Sequence, residues 1–289
     1  MKIAVASGKG GTGKTTVSIN LYYFIEKFFN KAVQLVDCDV EEPNDILFFS
    51  NAELNSEKKE FNLVPEIEPE KCKFCKKCDS WCEFNAITIV KALSFAEINP
   101  DLCHSCGACL EACNFNAIKE EKHLLGKISH FNTGIGLGII EGRLKIGSSM
   151  QSSLIKKTKK ETAGDAEIIL FDAPPGTSCP VVETVSDADF IILVTEPTPF
   201  GLHDLKITVE LLLELQKPFG VIINKAGVGN RDVHRFLVHN NIEILAEIPF
   251  NKDYAIKYAA GHVLENIPEN IENIYKELIQ KLELKLAML

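Results

Sequence analysis

The chain has 289 residues, of which 46% are hydrophobic and 25% charged, and its net charge is −9. That length accommodates one large α/β domain plus a small module, and the composition is ordinary for a globular protein. The acidic balance excludes general nucleic-acid binding, which needs a basic footprint, and no uninterrupted apolar run is long enough to span a bilayer.

Ile3–Ala6 reads as a first strand entering a glycine-rich turn, and Thr15–Phe29 as the helix that follows. The turn, Gly8-Lys9-Gly10-Gly11-Thr12-Gly13-Lys14-Thr15, spells a Walker A loop. Its glycines let successive backbone N–H groups face phosphate oxygens, and the helix N-terminus adds partial positive charge. Lys14 is expected at the β- and γ-phosphates and Thr15 on Mg²⁺. Ala32–Val36 is a second buried strand, ending in Asp37-Cys38-Asp39.

Acidic residues and proline gather through Glu66-Ile67-Glu68-Pro69-Glu70, marking entry to a cysteine-rich segment. Two runs follow at an offset of 31: Cys72, Cys75, Cys78, Cys82, and Cys103, Cys106, Cys109, Cys113. Each reads C-x2-C-x2-C-x3-C and is followed by Phe-Asn-Ala-Ile, so the segment is a duplicated half-domain. This spacing wraps [4Fe–4S] cubes in bacterial-type ferredoxins, where the fourth cysteine of each run serves the other cluster. One cluster is therefore assigned to Cys72, Cys75, Cys78 and Cys113, and the other to Cys82, Cys103, Cys106 and Cys109. Zinc is the competing metal. The proline usual after the fourth cysteine is Glu83 in one run and Asn114 in the other. Lys73, Lys76 and Lys77 flank the first cluster, as a solvated face or a docking patch for an acidic redox partner. Nothing at the N-terminus resembles a signal peptide, so the reading is cytoplasmic, with reduced cysteines as metal ligands.

Lys127–Phe131 and Leu137–Ile146 look like a hairpin returning to the main domain. Beyond it, Glu167–Phe171, Phe190–Val194, Phe219–Ile223 and Ile242–Ile248 are apolar strands separated by helical stretches, the pattern of parallel βαβ units. The expected architecture is α/β: a mostly parallel sheet with helices on both faces, from residues 1–63 and 124–289, with a ferredoxin-like module inserted at 64–123. Near the C-terminus Ile274, Leu278, Leu282 and Leu286 share a helical face. Glu277 and Glu283 balance its lysines, favouring a helix packed on the sheet over a membrane-surface helix.

A second lysine early in the loop sharpens the reading. Lys9 through Thr16, K-G-G-T-G-K-T-T, resembles the deviant-Walker ATPases that include MinD, ParA, Mrp and the nitrogenase iron protein. The resemblance implies that Lys9 crosses a dimer interface to the partner's nucleotide, and that Asp39 orients the attacking water. Asp37 and Asp172, the latter opening Asp172-Ala173-Pro174-Pro175-Gly176, join Thr15 at the Mg²⁺ site. Gly8, Gly10, Gly11, Thr12, Gly13, Lys14, Thr15 and Thr16 are expected to hold phosphate, and the resemblance implies that Asn224 and the Pro249 loop contact adenine. A guanine reader would continue N-K-x-D, but position 227 is Gly, which favours ATP.

A narrower match is the MinD-superfamily group carrying an inserted ferredoxin domain, through Asp37–Asn44 and Thr195–Gly201. It implies ATP-dependent handling of electrons or iron–sulfur clusters by a homodimer, or a heterodimer with a paralogue, acting on a redox protein or an apo-metalloprotein. Two alternatives stand beside it, an Mrp-like cluster carrier and a MinD-like positioning ATPase with structural or redox-sensing clusters. Cys179 lies seven residues after Asp172, where the nitrogenase iron protein places a cluster cysteine. The second ligand of that cluster has no counterpart in Gly147-Ser148-Ser149-Met150, so a buried small hydrophobe is the plain reading of Cys179, and core filling that of Cys38.

Overall fold

The computed structural model describes residues 1–286, with side chains through Lys285. Strand β1 (Lys2–Ala6) enters the glycine-rich loop, and helix α1 (Lys14–Phe29) leaves it. The helix ends at Asn30, which takes the left-handed conformation at φ 47° and returns its N–H to Glu26. Strand β2 (Val33–Asp37) follows, buried along its whole length. The chain then runs through β3 (Glu53–Ile67), α2 (Lys77–Ser80), β4 (Ile87–Val90), β5 (Phe95–Ile98), α3 (Ala108–Ala112) and β6 (Ile118–Asn132). Next come β7 (Ile139–Leu144), α4 (Gln151–Lys159), β8 (Ile168–Asp172), α5 (Cys179–Val185), β9 (Phe190–Thr195) and α6 (Pro199–Glu214). The last elements are β10 (Phe219–Ala226), α7 (Asp232–His239), β11 (Ile244–Pro249), α8 (Lys252–Ala259) and α9 (Glu269–Leu286).

Nine strands form one sheet in the order β11-β10-β9-β1-β8-β2-β7-β6-β3. Every neighbouring pair from β11 to β7 is parallel; β7–β6 and β6–β3 are antiparallel. Parallel strands need crossovers, and these place helices on both faces. On one face Val17, Phe24, Tyr275 and Leu278 pack under α1 and α9; on the other, Leu154, Val181, Leu205 and Leu237 pack under α4 to α7. In α9, Tyr275, Leu278, Ile279 and Leu282 are almost wholly buried. Each such side chain contributes about 1.5–3 kcal/mol, so this helix belongs to the core. The side chain of Leu286, grouped with this face above, lies outside the described residues. No described helix is long and apolar enough to cross a membrane.

The long ribbon β3–β6 departs from the sequence reading. Its ladder runs from Glu53↔Asn132 to Ile67↔Ile118, with two register shifts on the way. Both limits drawn for the insert, 64 and 123, fall inside these strands. The cysteine segment is thus carried on the prolonged edge of the main sheet. The expected return hairpin is present as β6 and β7, but β6 already starts at Ile118.

Candidate nucleotide site and cysteine cavities

Parallel α/β sheets bind ligands beyond the carboxyl ends of their strands. There the loop after β1 meets Asp37 at the end of β2, Asp172 at the end of β8 and Asn224 in β10. Gly13 takes φ 92° at the start of α1, and a Cβ on it would lie 2.1 Å from Asn224 Nδ2. That amide donates to the Thr12 carbonyl at 2.7 Å, fixing Asn224 against the loop. Beside it opens a cleft of about 810 Å³ lined by Gly11, Gly13, Thr16, Asn224, Pro249 and Tyr254, among others. Of the predicted nucleotide contacts, Gly11, Gly13, Thr16, Asn224 and Pro249 therefore meet at one cavity. Beyond Gly10 there is open space, as a loop that admits phosphate requires. The Thr12 hydroxyl is buried without a partner, which suits it to an incoming acceptor.

The charged residues are paired with one another. Lys14 Nζ lies 2.9 Å from Asp172 Oδ1, while Thr15 Oγ1 donates to Asp172 Oδ2 at 2.9 Å. Ser18, one turn along α1 and absent from the sequence reading, donates to Asp172 Oδ1 at 2.6 Å. Burial alone would lower the Lys14 pKa, but the Asp172 carboxylate raises it above the usual lysine value. Asp37 accepts from the backbone N–H groups of Asp39, Asn44 and Asp45. A third buried carboxylate, Asp45, joins these two: Asp37, Asp45 and Asp172 offer oxygens all within 4.8 Å of one another. Burial and this crowding push Asp37 and Asp45 well above the usual carboxylate range. Burial likewise takes Asp39 up to about 6 despite Lys14. An oxygen-rich donor set of this kind fits Mg²⁺, with Thr15, Asp37 and Asp172 as the expected contacts.

Lys9 has its own arrangement. Its Nζ sits 2.7 Å from Glu196 Oε1 and 5.9 Å from the centre of the exposed Phe200 ring. Glu196 Oε2 also takes Lys225 at 2.9 Å, and Lys225 donates to the Gly11 carbonyl. Burial would raise Glu196, but the two ammonium groups more than offset it and hold the carboxyl down to about 2. Within one chain, then, Lys9 is latched to the end of β9. Glu196 lies in the Thr195–Gly201 segment, whose pattern carries no sign of this role. A lone glutamate after a strand gives no signal of its partners.

The cysteine segment repeats its backbone as well as its sequence. Positive φ recurs at Phe74 and Ser105, Lys76 and Gly107, and Asn85 and Asn116. The Ala86 carbonyl accepts from Asn99 N, and the Ala117 carbonyl from Glu68 N, the same contact in each half. Backbone N–H groups of Phe74, Ala86, Ser105 and Ala117 each point to a cysteine Sγ at 3.4 Å. Cys72, Cys75, Cys78 and Cys113 line one cavity; Cys82, Cys103, Cys106 and Cys109 line another. All eight are free thiols. Burial and neighbouring sulfurs push Cys109 up to about 11, and burial raises Cys78 and Cys103. Sulfurs so placed become thiolates only with a compensating cation. Four sulfurs per cavity, each set receiving N–H donors, match the donor chemistry of an iron–sulfur cube.

The two cavities differ in position. The first lies by Ile67 and Ile118, at the far end of the ribbon; the second reaches Pro65, nearer the main sheet. Ser149 Oγ donates to the Asp101 carbonyl, and Ser105 Oγ to Met150 Sδ at 3.9 Å, so the segment before α4 touches the second cysteine loop. Cys179 is exposed at the first position of α5, against the plain reading of it as buried. Val181, two positions on, is fully buried, so the helix turns its inner face to the core and Cys179 outward. Cys38 is buried in the core.

A P-loop at the carboxyl ends of parallel strands, carboxylates at two strand ends and an asparagine over the cleft define a nucleotide-binding P-loop protein. The chain belongs to the CobQ/CobB/MinD/ParA nucleotide-binding domain family, which it matches over residues 3–264. Two uncharacterized proteins of Methanocaldococcus jannaschii are 33% and 36% identical to it, covering 96% and 94% of this chain and 96% and 97% of their own lengths. An iron–sulfur cluster carrier protein of Pyrococcus furiosus is 24% identical over 77% of this chain and 60% of that protein. The septum site-determining protein MinD of Pyrococcus horikoshii, solved with Mg-ADP, superposes with a TM-score of 0.58 at 18% identity, covering 99% of this chain and 96% of that one. That likeness is one of fold.

Proposed function

We propose that this chain is an ATP-hydrolysing iron–sulfur protein whose nucleotide state controls electron transfer through the cysteine module to a redox partner. One observation carries the reading: the eight cysteines fall into two four-sulfur cavities at the end of the ribbon β3–β6, which joins the strand ending in Asp37 through β7. Strand β7 lies between β2, which ends in Asp37, and β6, which leads to the module. The loop after β2 is tied to β7, because Leu144 N donates to the Val40 carbonyl and Arg143 Nη2 reaches the Pro43 carbonyl. A shift of residues 38–45 is thereby carried into β7 and β6.

When bound, two [4Fe–4S] clusters supply one-electron chemistry and Mg-ATP supplies the cleavable phosphate. With nucleotide bound, Lys14 would turn from Asp172 to the phosphates, and Asp172, Asp37 and Thr15 would hold Mg²⁺. Asp39 would orient the attacking water. Lys9 is released from Glu196 to reach the nucleotide of a second copy or a paralogue, closing the dimer. Cluster delivery to an apo-protein is the second reading, favoured by the relative named as an iron–sulfur cluster carrier and by the exposure of Cys75 and Cys106.

Anaerobically purified protein is expected to carry about eight iron and eight sulfide per chain and to hydrolyse ATP. Zinc retained after anaerobic reconstitution with iron and sulfide overturns the cluster assignment. Passage of radiolabelled iron to an apo-protein without net electron flow selects the carrier reading.

A further inference from the structure

Among the three carboxylates at the nucleotide site, Asp45 is the anomaly. Asp37 receives three backbone N–H groups, and Asp172 receives Thr15, Ser18 and Lys14. Asp45 is 0% exposed, and neither of its carboxylate oxygens has a hydrogen-bond partner. It is not free to turn away. It opens the short turn Asp45–Phe48, in which Ile46 and Phe48 pack against the core and Phe48 meets the Tyr258 ring at 4.8 Å. A buried carboxylate without donors is costly, and breaking such sites open by losing a partner is costlier still. The side chain is held inward, its oxygens within 4.8 Å of those of Asp37 and Asp172.

We propose that Asp45 is the third carboxylate of a divalent-cation site formed with Asp37 and Asp172, and that the Lys14 ammonium holds the place of that cation. The inference rests on the nucleotide-site reading and is independent of the cysteine module. Mg²⁺ in nucleotide sites commonly uses one or two carboxylates and takes the rest of its shell from phosphate and water. Three carboxylates supply enough negative charge to bind a divalent ion without phosphate. In the nucleotide-free protein Lys14 supplies one positive charge at Asp172. When Lys14 turns to the phosphates, the cation replaces it, so the site is never left with three uncompensated carboxylates.

The experiment is a Mn²⁺ titration of the full chain, without nucleotide, followed by loss of the free-ion EPR signal and by Mn²⁺-induced rise in unfolding temperature. Wild type is expected to bind one strong Mn²⁺. Loss of outer partners alone weakens metal sites about 10- to 100-fold, so Asp45→Asn is expected to weaken binding at least about tenfold. In metal-free buffer the same variant is expected to unfold at a higher temperature than wild type, because one like charge is gone. Lys14→Ala is expected to bind Mn²⁺ severalfold more tightly than wild type, because its competitor is absent. Equal Mn²⁺ binding by wild type and Asp45→Asn overturns the proposal, as does unchanged or weaker binding by Lys14→Ala. Binding of a fluorescent ATP analogue with Mg²⁺ is measured beside it. Normal ATP binding with no nucleotide-free Mn²⁺ site sinks this inference alone, whereas loss of both sinks the nucleotide-site reading too.

Discussion

The nucleotide site and the cysteine module solve the same problem in opposite ways. At the nucleotide site the protein supplies its own counterions: Lys14 answers Asp172, and Glu196 answers Lys9 and Lys225. It rests on a large core filled on both faces of the sheet. The module has almost no core of its own. Its buried clusters are Cys78, Ile87, Ile89 and Cys109 in one, and Val64, Ala86 and Cys103 in the other, with Ala112 and Ala117 buried beside them. Cysteine sulfur is thus a structural fraction of its interior. A domain this small needs staples or metal for stability. On the proposed reading, the first region folds without its ligand and the second folds with its clusters.

The largest effect that can break this contrast is removal of the metal. Stripping iron with a chelator under anaerobic conditions is expected to unfold residues 68–117 while leaving the main sheet folded. Hydrogen exchange reads it: protection lost in α2, β4, β5 and α3, and kept in β1, β8 and β9. Uniform protection in the stripped protein contradicts the account. Next, Cys82→Ser tests how the halves are joined. Because Cys82 lines the cavity of the second run, iron should fall from about eight to about four per chain, with the surviving cluster that of Cys72, Cys75, Cys78 and Cys113. Loss of the first-run cluster instead means that each run holds its own.

At the nucleotide site, Lys14→Ala is expected to abolish ATP binding, measured by calorimetry with Mg²⁺. Lys9→Ala is expected to keep it, yet lose ATP-induced dimerisation and hydrolysis; wild-type hydrolysis by this variant contradicts the trans role. The smallest effect concerns pH. Folding raises Asp39 to about 6, and raises Asp37 and Asp45 as well. A carboxyl whose folded pKa is raised contributes stability that is complete below its unfolded value and lost as pH climbs through the folded one. Stability should therefore fall by about 3 kcal/mol from Asp39 alone between pH about 4 and about 7, with Asp37 and Asp45 adding to it. Denaturant midpoints across that range measure it, and a rise in stability there contradicts it.

Legibility in the sequence followed the same division. Apolar strand runs such as Phe190–Val194 were readable because strands buried on both faces leave no room for polar residues. The cysteine repeat was readable because ligand spacing is local. Strand β3 was not, since its first half, with Lys58, Lys59 and Glu60, is an exposed and charged sheet edge without an apolar period. Asp45 and Glu196 were missed because what marks them is their partners, far away along the chain. Lys9 meets Glu196 across 187 positions, a distance no motif spans.

The proposed function requires that the nucleotide site and the cysteine segment be coupled through β7 and β6. The direct measurement is a redox titration, by EPR under anaerobic conditions, of the full chain with Mg-ATP and with Mg-ADP, in wild type and in Asp39→Ala. A ligand shifts a two-state element only through differential interaction with its states. The expected result is a nucleotide-dependent shift of at least one cluster potential by about 60 mV, or roughly 1.4 kcal/mol for one electron. The cluster held by Cys103, Cys106, Cys109 and Cys82 should respond more, because its loop touches Ser149 and Met150. Identical potentials and spectra in both nucleotide states would mean that the two regions are merely joined.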